Sequence, residues 1–84
     1  MFVLIENYQD DVDSDSRLVG IYKDMGTAQT VMHSLYMQAK ERIDPERIDM
    51  DYIEDDRARL WCPNGTPEYD FYDWYIFDGR DYVY

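Results

Sequence analysis

One stretch of the chain repeats its apolar residues at helical spacing, and that repeat limits what the remainder can form. Ala28, Val31, Met32, Leu35, Tyr36 and Ala39 follow at intervals of three and four, which makes one apolar stripe, with Gln29, His33, Gln38 and Lys40 on the polar side. A helix with a single stripe has to bury it against another layer. Asp24 or Thr27 can accept the free amide hydrogens at its start, and Gly26 falls in the first turn, where its entropic cost is small. Pro45 disfavours helix at Asp44, so the helix is expected to stop by about Ile43.

The flanking segments read as the missing layer. Phe2 to Tyr8 and Leu18 to Lys23 are short apolar runs of strand type, joined by a solvated loop from Gln9 to Arg17 that is dominated by Asp and Ser. Ile48, Met50 and Tyr52 alternate with Asp49 and Asp51, a period of two that predicts a half-buried strand with its carboxylates on the open face. Glu54 to Arg57 would turn the chain into a partner strand, Ala58 to Cys62, ended by Pro63 and followed by the Asn64-Gly65 turn signal. Thr66-Pro67-Glu68 could open a helix, but Tyr69, Phe71, Tyr72, Trp74, Tyr75, Ile76 and Phe77 favour a last strand, with Asp78-Gly79 as a hairpin turn before Arg80 to Tyr84. The expected fold is α+β: one domain over residues 1–84, with a small antiparallel sheet packed by one amphipathic helix in the order ββαβββ.

Alternation divides the aromatic final segment between two faces. Tyr72, Trp74 and Ile76 share one face, and Phe71, Asp73, Tyr75 and Phe77 share the other. Burying Asp73 unpaired would be costly, so the face with Asp73 and Tyr75 is expected to be the exposed one. Rings interleaved with carboxylates suit a cationic guest, because rings offer rigid area and a negative face while carboxylates add charge.

Charge narrows the partner. The 84 residues carry a net charge of -11, which repels phosphate and anionic lipid and removes the usual driving force for nucleic-acid binding. Residues 1–48 hold nine acids against five bases, whereas residues 49–84 hold ten acids against Arg57, Arg59 and Arg80. The same imbalance would also keep a tyrosine-rich surface soluble. The hydrophobic fraction of 45% is too high for a disordered chain. No apolar stretch is long enough to span a membrane, and Met1 to Ile5 lacks the flanks of a signal peptide, so neither is expected. Cys62 is the one cysteine, in keeping with a cytosolic setting.

Catalytic and metal chemistry find little to work with. Asp11, Asp13 and Asp15 have the spacing that opens a calcium loop, but Ser16 and Tyr22 stand where such a loop needs Gly and a bidentate Glu. Cys62 has only His33 as an imidazole partner, four zinc ligands are not available, and Gly-rich phosphate loops are absent. No enzyme activity, cofactor or metal is expected.

What remains is binding. In one reading an acidic face competes with nucleic acid for a basic protein, with Asp49, Asp51, Asp55, Asp56, Asp70 and Asp73 meeting Arg and Lys and with Tyr75 stacking on them. Carboxylates on alternate strand residues lie about 6.6 to 6.8 Å apart, and duplex DNA presents one charge per about 1.7 Å of axis. In size, acidity and lack of catalytic groups the chain resembles anti-CRISPR proteins, small phage inhibitors of bacterial defence, several of which act as DNA mimics. The resemblance covers no motif and implies a non-enzymatic inhibitor in the host cytoplasm. An acidic antitoxin or a nuclease-immunity protein would look the same. The other reading is a self-associating structural or accessory module, a homodimer whose aromatic segment is the interface.

Overall fold

The computed structural model describes residues 1–9, 14–62 and 70–82, with the side chains of all of these except Arg47, Asp70, Asp81 and Tyr82. Five strands and one helix follow in the expected order: β1 (Phe2–Gln9), β2 (Ser14–Tyr22), α1 (Met25–Glu41), β3 (Met50–Ile53), β4 (Arg57–Cys62) and β5 (Asp70–Asp78). The strands form one antiparallel sheet in the order β2-β1-β5-β4-β3, and α1 packs on one of its faces.

The helix is built as its stripe requires. Asp24 caps it, its carboxylate accepting both the backbone N–H and the hydroxyl of Thr27. Ala28, Met32, Tyr36 and Ala39 are buried, and they meet Leu4 of β1, Ala58, Leu60 and Cys62 of β4, and Trp74 and Ile76 of β5. Arg42 ends the helix, and Pro45–Arg47 forms a short 3-10 turn capped by Asp44.

Two local expectations change. The β1–β2 connection is shorter than the run of Asp and Ser suggests, because β2 already begins at Ser14; Ser16 donates to Asn7 and Arg17 to Glu6 across the pair. Nor does Asp78-Gly79 make a hairpin. The Asp78 carboxylate accepts the Arg80 backbone N–H, the Gly79 N–H donates to the Met1 carbonyl, and Gly79–Tyr82 coils into a 3-10 turn. Pro63, Asn64-Gly65 and Thr66-Pro67-Glu68 lie outside the described residues. At the β1–β2 bulge, Gly20 lies under the Tyr22 ring, and a Cβ there would come within 2.5 Å of the phenol oxygen.

Candidate protein-interaction face

β5 is the central strand, and the two sets of side chains separate as alternation requires. Trp74 and Ile76 face the helix and are buried, whereas Phe71, Asp73, Tyr75 and Phe77 face away from it. Register extends this second face across the neighbouring strands. Val3 pairs with both Ile21 and Phe77, and Ile5 pairs with both Leu18 and Tyr75. These six residues form two apolar rows across β2, β1 and β5, and Tyr75 and Phe77 stack along β5 at 6.0 Å. Leu18 and Ile21 are each 55% exposed.

The third row is polar and self-contained. Asn7, Asp73, Arg59 and Tyr52 lie side by side on β1, β5, β4 and β3. The guanidinium of Arg59 lies 5.3 Å from the ring centre of Phe71 and 6.0 Å from that of Tyr52, and its Nε is 3.5 Å from the Asp73 carboxylate. The cation that rings and carboxylates were expected to receive is supplied here by the chain itself.

That contact explains why Asp73 is not exposed as expected. The face is the one foreseen, but Asp73 sits mid-sheet under Arg59 and is only 8% exposed. Tyr75 is half-buried between Ile5 and Arg57. Asp51 departs further from expectation. It pairs with Leu60, a core residue, so it sides with the helix, and Met50 and Tyr52 occupy the open face instead. Its carboxylate accepts from Lys40 (2.7 Å) and the Tyr36 hydroxyl (2.6 Å). Hydrogen bonds from Lys40 and Tyr36 hold Asp51 below the ordinary carboxylate range, the bond to Asp51 holds Lys40 above the ordinary ammonium range, and burial, followed by the bond to Asp51, holds Tyr36 above the ordinary phenol range. Asp73 is therefore buried, and Asp51, still exposed, is paired within the chain.

Asp49, Asp55 and Asp56 remain exposed. The turn carrying the latter two is fixed through its backbone: Gln29 donates to the Asp55 carbonyl and the Ile76 N–H to the Asp56 carbonyl. Asp70 opens β5 opposite Cys62, and its side chain lies outside the described residues. The structure brings Asp73 and Tyr75 onto one face and leaves Asp49, Asp55 and Asp56 around β3.

No protein-family model, curated protein or solved structure matches the chain. What the site can do has to be argued from its own chemistry. Cys62 is buried on β4 and His33 is exposed on α1, so they do not form a nucleophile–base pair. Among the described residues no group of three His, Cys, Asp or Glu side chains is placed to hold a metal, and no helix is long and apolar enough to cross a membrane. Asp11 and Asp13 lie outside the described residues, and the Asp15 carboxylate accepts the Ser16 N–H. The open face is suited to contact with another apolar surface. A hollow of about 310 Å³ at its end, lined by Met1, Val3, Ile21, Gly79 and Arg80, adds relief to it.

Half of this face was missed in the sequence, although a signal was present. Phe2-Val3-Leu4-Ile5 and Trp74-Tyr75-Ile76-Phe77 are apolar at every position, which is the pattern of strands covered on both sides.

Proposed function

We propose that the chain is a non-enzymatic protein-binding module whose interface is the open face of its sheet. The observation that carries this reading is the pair of apolar rows formed by Val3, Ile5, Leu18, Ile21, Tyr75 and Phe77, opposite the face that the helix covers. Apolar area of this kind, ringed by charge, is the usual mark of a protein contact. The net charge of -11 argues against nucleic acid or anionic lipid as the occupant.

A second reading concerns a different surface. The exposed carboxylates of Asp49, Asp55 and Asp56, beside the exposed Glu54, favour an inhibitor that meets a basic, nucleic-acid-handling protein in the manner of a DNA mimic. The two readings separate in one experiment, in which the tagged chain captures proteins from a host lysate. Loss of capture in Leu18→Asp and Ile21→Asp supports the open face. Loss in Asp49→Lys with Asp55→Lys, together with steep weakening by salt, supports the acidic side. Capture that survives all four changes in a chain that sediments as a monomer contradicts both.

A further inference from the structure

We infer that the occupant of the open face is a second copy of this chain, seated sheet to sheet to give four layers: helix, sheet, sheet, helix. The inference rests on the reading of that face as a protein interface. Three features point to self-association.

The first is patterning. In an antiparallel sheet covered on one side, strands alternate apolar and polar residues. Here the two adjacent strands β1 and β5 are apolar on both faces over Phe2 to Ile5 and Trp74 to Phe77, and Leu18 and Ile21 of β2 extend the open side. Such strands are those of a sheet with a layer on each side.

The second is charge. Two copies that each carry -11 repel, and the contact that costs least is the one that brings the fewest carboxylates together. The two apolar rows carry none. Asp73 beside them is matched by Arg59, while the exposed acids Asp49, Glu54, Asp55 and Asp56 lie off the strands, Asp56 at the rim of the face, where its carbonyl accepts the Ile76 N–H between Tyr75 and Phe77. Sheet-to-sheet packing leaves those acids in water, whereas a contact through β3 would set them against like charge.

The third is area. Strands of 8, 9, 4, 6 and 9 residues, at about 3.3 Å per residue and about 4.8 Å apart, present roughly 500 to 600 Å² per copy. The pair would bury about 1,000 to 1,200 Å², the low end of what a stable interface needs. Sheets stack face to face about 10 Å apart, so Leu18, Ile21, Tyr75 and Phe77 of the two copies would interdigitate.

The test is sedimentation equilibrium of the full chain across protein concentration and salt. The expected mass is twice 10.2 kDa, retained at about 1 M NaCl because the contact is apolar. Leu18→Asp and Ile21→Asp, at positions already half exposed, should each weaken association by about a hundredfold through burial of an unpaired carboxylate. Met37→Asp on the helix should leave the mass unchanged. Circular dichroism checks folding, and Ile21→Ser serves if the Asp variants unfold. A folded monomer at all concentrations, or a dimer indifferent to Leu18 and Ile21, overturns the inference. If the chain is monomeric yet its face variants still abolish lysate capture, self-association fails and the interface reading stands. If those variants also leave capture intact, both fail.

Discussion

Asp73 and Arg59 face each other across β5 and β4 with 3.5 Å between carboxylate and guanidinium nitrogen, and neither of the two atoms completes a hydrogen bond. A pair held this loosely under two rings gives little net stability, yet leaving one charge behind is costly. Arg59 keeps about a third of its side chain in water, which moderates that cost. Asp73→Ala should lose about 1 to 2 kcal/mol in urea unfolding. The double variant Asp73→Val, Arg59→Met should match or exceed the parent. A double variant weaker than Asp73→Ala alone would show that the pair stabilises the fold outright.

On the helix side, Glu6 joins three strands. One oxygen accepts the Trp74 indole N–H at 2.7 Å and the other the Arg17 guanidinium at 2.8 Å, and Trp74 is fully buried. Glu6→Ala strands a buried donor and should cost about 1 to 3 kcal/mol. Arg17→Ala removes only an exposed partner and should cost less than about 1 kcal/mol. Thermal unfolding of the two variants checks the ranking.

Asp78 contributes to the acid limb of the pH dependence, as do Asp24 and Asp51, whose carboxyls are also held below the ordinary range. Hydrogen bonds from the Arg80 side chain and backbone lower the Asp78 pKa from 3.8 to about 2. A depressed folded-state value means that the interaction is complete above pH 3.8 and is lost as pH falls toward 2. Carboxyl-carbon NMR titration should place the Asp78 midpoint near 2, and Arg80→Ala should return it toward 3.8. A midpoint unmoved by Arg80→Ala would rule out the guanidinium as the cause of the depression.

The alkaline limb belongs to Lys40 and Tyr36, through the Asp51 carboxylate that both donate to. Lys40 is raised above 10.5 and Tyr36 above 10.0, so the stability they contribute is complete below those values and goes as pH rises through the raised ones. Asp51→Asn removes the shared acceptor charge. The variant should lose about 1 kcal/mol at neutral pH and show a flatter decline in melting temperature between about pH 9 and 12 than the parent.

The helix and its buried stripe were legible because period and cap agree, and the two faces of β5 were legible because alternation is rigid once the strand is granted. Asp51 was not, since which set of a half-buried strand turns inward depends on its partner. Pairing with Leu60 took Asp51 to the helix side, where Lys40 and Tyr36 could satisfy it. The hairpin signal at Asp78-Gly79 lost to a local capture, as the Asp78 carboxylate bound the Arg80 N–H and Met1 took the Gly79 N–H. The place of Arg59 over Asp73 needed the β4–β5 register, which composition does not contain.

The central claim, that the open face is where this protein meets its own copy, is tested most directly by methyl NMR over a dilution series. Val3, Ile5, Leu18 and Ile21 should shift with concentration along one two-state curve, while Ile53 and Met37, which lie on the helix side, stay fixed. Concentration-dependent shifts confined to Ile53 and Met37, or none anywhere up to millimolar protein in a chain that sediments at 10.2 kDa, would contradict it.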